Sequence, residues 1–151
     1  MAPSLGPYLP EDFRKKVATE NYKIGAVFKC FHPIAGKDKR FVLVGFKYDK
    51  IKIATVFINT EINPNFFPSE KLRKLHLLMA ADMRPFLDYD SYIDCSGLKL
   101  LDSSNFLKNF ILDPSIHIGN LSEGDYKLIR DTIKGAHTIT AAEKKEYGLF
   151  L

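Results

Sequence analysis

Little in this chain of 151 residues points to a covalent or metal scaffold. Cys30 and Cys95 are its only cysteines, too few for a disulfide framework, and they form no CxxC pair. Both read as buried structural thiols in a reducing compartment. The four histidines are not at zinc-ligand spacing and no HExxH occurs, so no metal is expected. There is no GxxxxGK[ST] to hold a nucleotide, no GxGxxG for a dinucleotide and no GxSxG nucleophile elbow. No cofactor is expected. No apolar run approaches the roughly 18 residues that span a bilayer. The start, Met1 to Pro7, has no basic segment leading into an apolar one, so it does not read as a secretory signal. The expected compartment is the cytoplasm, with no membrane partner. Repeats and low-complexity tracts are absent.

What is present is an ordinary apolar share of 46% with an uneven charge. That length and composition suffice for one core without staples. Between Lys23 and Lys52 lie Lys23, Lys29, Lys37, Lys39, Arg40, Lys47, Lys50 and Lys52 against only Asp38 and Asp49, a local +6 on a chain of +4. Such a cluster points toward a polyanion.

Residues 1–9 carry two prolines and a glycine and read as a loose leader. A short helix over Glu11–Glu20 follows, with Pro10 at its start and acids in its first turn. Together, residues 1–22 precede a single domain at 23–151. Strands are expected at Ile24–Phe31, Phe41–Tyr48 and Ile51–Asn59. The first two flank a charged loop, Pro33 to Arg40, and the last two a tight turn at Tyr48-Asp49-Lys50. Two prolines then open an inserted segment at about 63–90. Within it, Ser69 can cap a helix to about Met83 that puts Leu72, Leu75, Met79 and Met83 on one face. Strand character returns at Ser91–Cys95 and Leu98–Leu101. Asn105–Leu112 is ambiguous, with a strand around Phe110 favoured. Ser122 to Asp125 reads as a capping box for a helix that Gly135 stops, and Thr140 starts a last short helix that Gly148 ends. Strands first and helices last give an α+β class and suggest a small β-barrel.

Several stretches, in this order, resemble the MazF/PemK-type toxins of toxin–antitoxin systems. They are Gly25 before the first strand and Pro33 at its end, Gly36 followed by Lys39-Arg40-Phe41-Val42-Leu43-Val44, and Val56 to Thr60. Ser91-Tyr92-Ile93, Leu98 to Asp102, and Gly119-Asn120-Leu121-Ser122 complete the set. The resemblance covers about residues 24–135. It implies an SH3-like barrel with a C-terminal helix, metal-independent cleavage of single-stranded RNA, a cognate antitoxin protein and a homodimer. Three features depart from that family. Phe41 stands where proline is usual, Lys99 where a later arginine is usual, and the 63–90 segment with its helix is long.

The resemblance places catalysis on Arg40 and Thr60. Cleavage through the 2′-hydroxyl needs charge stabilisation on phosphorus, which suits a guanidinium that can hold two phosphate oxygens. A threonine hydroxyl at a nearby strand end can hydrogen-bond the same group. The general base is left open. His32, beside the basic loop, titrates in the useful range, whereas His76, His117 and His137 read as structural or solvated. Lys37, Lys39, Lys47, Lys50, Lys52 and Lys99 are the candidate RNA-binding cations, with Phe41, Phe46 and Tyr48 as stacking partners in one groove. Two other readings stay open. One is a gyrase-poison-type binding toxin acting through the apolar tail Ala141 to Leu151. The other is a non-catalytic RNA- or partner-binding relative.

Overall fold

The structure, a computed structural model, describes residues 6–150. Residues 1–5 of the expected leader and Leu151 of the tail lie outside the described residues. After a 3-10 turn at Gly6–Tyr8, the helix α1 spans Glu11–Asn21, in line with the acids and proline at its start. A meander follows: β1 (Ala26–His32), β2 (Lys37–Phe46) and β3 (Lys52–Asn59). Gly36 closes the first connection at φ 68° and Lys50 the second at φ 61°. Charge and strand overlap here. The basic run Lys37 to Arg40 lies inside β2, and the connecting turn is only Pro33 to Gly36.

The remaining elements are α2 (Glu70–Arg73), β4 (His76–Met79), β5 (Ser91–Asp94), β6 (Lys99–Asp102), α3 (Ser103–Leu112), β7 (His117–Asn120), α4 (Glu123–Gly135) and α5 (Ala141–Glu146). The seven strands form one antiparallel sheet in the order β4-β5-β3-β2-β1-β7, with β6 also on β3. Long β3 therefore serves two partners on one side, β6 along Lys52 to Thr55 and β5 at Ile58 and Asn59. The α+β class is as expected. The pairing path ends at β4 and β7 without closing on itself.

Strand alternation sorts the apolar residues into two cores. One face carries Val27, Val42, Val56, Ile58 and Ile93 beneath Ile129 and Ile133 of α4 and the tail residues Tyr147 and Leu149. The other carries Phe28, Phe41, Leu43, Ile53 and Leu101 beneath Ala18 of α1 and Phe106 and Phe110 of α3. The tail crosses so closely that a Cβ on Gly45 would meet the Tyr147 carbonyl oxygen at 2.6 Å.

Two expectations are overturned. The inserted helix from Ser69 to Met83 is one turn, α2, capped by Ser69, and then a strand. Leu77 and Met79 alternate onto the sheet opposite Ile93 and Ser91, so pairing with β5 satisfies the backbone that a longer helix would have used. Met83 ends up 92% exposed at φ 63°. Residues 105–112 form a helix instead of a strand. Asp102 accepts from the Asn105 N–H at 3.0 Å, and Phe106 and Phe110, one turn apart, both reach the second core. The Ser122 cap of α4 and the Thr140 cap of α5 stand as read, accepting from Asp125 N and Glu143 N at 3.1 Å each.

Candidate functional site

Antiparallel register decides what Arg40 meets. It lies directly opposite Lys29 of β1 and Ile58 of β3, on the face that carries Val27 and Val42 farther along. Beyond Val42 towards the strand end, α4 no longer covers that face, and the apolar pattern gives way to charge. A cavity of about 250 Å3 opens there. Arg40, Lys29, Lys37, Lys39 and Thr60 line it, together with Asp38 and Ser91. Thr60 directly follows β3 and is exposed. Arg40 and Thr60, chosen from sequence, thus share one concavity with three lysines and one carboxylate in its wall, although alternation turns the Lys37 and Lys39 side chains to the other face.

The Arg40 side chain is 25% exposed, and its Nη2 donates to Asp88 Oδ2 at 2.7 Å. Its Nε is buried without a hydrogen-bond partner among the described residues. The guanidinium therefore keeps donor capacity for an anion placed between the strands. Lys39 donates to Asn59 Oδ1 and lies 5.4 Å from the centre of the Phe57 ring. Lys99 lies at the same distance from that ring. Burial, then the neighbouring Lys37 charge, lowers the Lys39 pKa. Phe57 is thus an aromatic plate flanked by two ammonium groups, on the face of the sheet opposite to Arg40, where its ring lies 4.8 Å from that of His32.

His32 does not join them. It pairs with Lys37 in the ladder and so points to the opposite face from Arg40, where it is fully buried. Nδ1 accepts from the Ile34 N–H at 3.2 Å, and Nε2 lies 3.0 Å from Thr55 Oγ1. The Thr55 hydroxyl donates to the Lys99 carbonyl at 2.7 Å, which leaves it to accept from an Nε2–H. Both nitrogens of a neutral ring are occupied. Burial, and secondarily the Lys99 charge, lowers its pKa to about 4. A neutral, fully bonded imidazole out of reach of the cavity is a core residue, and it supplies no base to Arg40.

Nor do the other three cations join. Lys47, Lys50 and Lys52 lie at the far turn of the β2–β3 hairpin, seven residues or roughly 23 Å along the strand from Arg40. There Lys47 lies 3.7 Å from Asp49. Of the expected stacking aromatics, Phe41 is buried and Tyr48 is 80% exposed at that far turn. The single groove expected from sequence is two separate basic regions.

Sequence reasoning missed Lys29, Asp88 and Ser91. Lys29 was within reach, because counting outward from the Pro33–Gly36 turn sets it opposite Arg40. Asp88 carried no signal, being 48 residues from Arg40. Among the described residues no group of three His, Cys, Asp or Glu is placed to hold a metal. No helix among them is long and apolar enough to cross a membrane. The arrangement can bind a phosphodiester or another anion through Arg40 and the lysines, with Thr60 as a neutral hydrogen-bonding partner. No protein-family model matches this sequence, and no curated protein matches it.

Proposed function

We propose that this chain is a MazF/PemK-like endoribonuclease toxin that cleaves single-stranded RNA without a metal. The observation that carries the reading is the cavity itself. Arg40 and Thr60, 20 residues apart in sequence, line one cationic concavity at the end of three paired strands. The fold is read as an SH3-like barrel left open between its outer strands. Arg40 holds the non-bridging oxygens of the scissile phosphate in place of Asp88, and Thr60 hydrogen-bonds the same group. Lys29, directly opposite Arg40 in the ladder, holds the flanking backbone. The 2′-oxygen attacks phosphorus as the bond to the 5′-oxygen breaks, and the leaving 5′-oxygen takes a proton from solvent water, giving a cyclic phosphate and a 5′-hydroxyl. With His32 occupied elsewhere, the 2′-hydroxyl proton passes to a carboxylate at the cavity, Asp38 or the displaced Asp88. A cognate antitoxin protein and a homodimeric state, in the cytoplasm, belong to the same proposal.

A non-catalytic RNA-binding relative is the second reading. The withdrawal of His32 and the Arg40–Asp88 pair favour it. A gyrase-poison mode gains nothing from the tail, since Tyr147 and Leu149 are packed into the core. The test is incubation of the protein with a long unstructured RNA in EDTA, beside Arg40→Ala and Thr60→Val. Discrete cuts with cyclic-phosphate ends, lost in Arg40→Ala, are expected. Binding with intact RNA ends would favour the second reading.

A further inference from the structure

On the other face of the sheet, between the end of β1, β6 and α3, lies a second cavity of about 260 Å3. Its character is opposite to that of the Arg40 site. Phe106, Leu101 and Ile116 wall it, Phe31 stands 59% exposed among its lining residues, and no cation lines it. The volume lies below the roughly 300–1,000 Å3 of sites for drug-sized ligands, so it suits a ligand of one or two fused rings.

The polar groups around it narrow the ligand further. Asn105 and Asn109 are one turn apart on α3, so their side chains lie on the same side of the helix, and both line the cavity. Both are exposed, and neither side-chain amide has a hydrogen-bond partner among the described residues. Each amide offers a donor and an acceptor side by side. Cys30 adds a thiol kept neutral, since burial and the charges of Asp38 and Asp113 raise its pKa to about 11. The one charged wall residue, Asp102, already accepts from the Asn105 N–H as the cap of α3. An anionic ligand has no counter-ion here, since no cation lines the wall. A flat, neutral ring with paired donor and acceptor edges has a partner for every part. Aromatic and apolar walls take its faces, and two amides take its edge.

We propose that this cavity binds a neutral nucleobase, with Asn105 and Asn109 reading its hydrogen-bonding edge and Phe106 against its ring. Asparagine pairs bidentately with such an edge, and phenylalanine stacks on it. The base can come from a free nucleoside or from a strand whose phosphates lie elsewhere on the protein. The inference does not depend on cleavage at Arg40.

The test is titration of the isotope-labelled full chain with the four nucleosides, following the side-chain amide signals of Asn105 and Asn109. At least one nucleoside should shift both signals saturably. Asn105→Leu and Asn109→Leu, at exposed helix positions, should fold and weaken binding about tenfold each, the loss of one or two neutral hydrogen bonds. An intact single-stranded oligonucleotide, set beside one with an abasic site, separates the two sources. Shifts lost with the abasic strand identify a base in a chain, and shifts with nucleosides alone identify a free one. No shift at these amides with any nucleoside or strand overturns the proposal. So does binding that the two leucine variants leave unchanged, or binding of a plain apolar ring such as indole in preference to every base. Arg40→Ala, which tests RNA cleavage, should leave the nucleoside shifts intact, so failure of one reading is visible apart from the other.

Discussion

The β2–β3 hairpin has two basic ends, and they differ in everything except charge. At the far turn, Lys47 N donates to the Lys52 carbonyl at 2.9 Å, Asp49 sits among the lysines, and Lys47 and Lys50 border a depression walled by the rings of Tyr22, Phe46 and Tyr48. At the other end, β1 lies beside β2, so Lys29 stacks against Arg40 and the surface becomes concave. Cations spread around a turn with a carboxylate among them are solvated and screened, and each is worth little to a ligand. Cations converging on a concavity with low-dielectric walls focus their field on one point. Charge density along a sequence therefore says that a polyanion is attracted. Curvature and register say where it is held.

Four experiments can break or sharpen that contrast. The largest expected effect is at the concave end. Arg40→Ala should lower the RNA cleavage rate about a hundredfold or more, the usual cost of removing one preorganised donor to a transition-state anion. A rate within a few fold of the parent would move the chemistry away from this cavity.

The next separates folding from chemistry at the same end. His32→Ala should destabilise the protein by about 3 kcal/mol, through the cavity left and the unpaired Thr55 hydroxyl. The surviving folded fraction should cleave RNA as the parent does. The parent should also show a matching pH dependence. Above the ordinary value of 6.5, His32 is neutral in both states. Between there and its folded value of about 4, only the unfolded chain takes up the proton. Stability should thus fall as pH falls through that window, by roughly 3 kcal/mol in all. Denaturant melts of parent and His32→Ala across pH 7 to 4 measure it, and an identical pH slope in both would refute the assignment.

Smaller again is the combined change of Lys47, Lys50 and Lys52 to alanine. RNA affinity should fall less than about fivefold, with little change in its dependence on salt. A steep loss of salt dependence would show these lysines neutralising phosphates and would merge the two ends into one surface. The smallest effect, and of opposite sign, belongs to Asp88→Asn. Freeing Arg40 from an exposed ion pair should tighten RNA binding about two- to threefold. Weaker binding would mean that Asp88 orients Arg40 for the phosphate.

Local signals were readable wherever they were self-contained. The caps at Ser122 and Thr140, the turn at Lys50, the β1–β2–β3 meander and the acids opening α1 all depend on near neighbours. The two failures share a cause. Leu75 and Met79 fit a helical stripe with Leu72 and Met83 or, with Leu77, an alternating strand, and only the β5 edge decided for the strand. Phe106 and Phe110 fit either a short strand or one face of a helix, and only the second core decided for the helix that Asp102 caps. In the site, Arg40 and Thr60 could be named from a resemblance, and Lys29 could have been named from hairpin counting. Asp88 could not, because an ion pair across 48 residues leaves no periodicity.

By itself, then, the sequence determined an α+β chain with one basic hairpin, two thiols outside any framework and well-capped helices near its end. Those properties follow from composition and from contacts within a few residues. Only the tertiary structure decided which basic residues converge, that His32 is a neutral core residue, that Arg40 is held by Asp88, and that an apolar cavity sits behind the charged one. Each of these depends on which face a residue takes and on what the other face is packed against. A strand alternates its side chains identically whichever side becomes the core, so that choice is made by the partners that cover it.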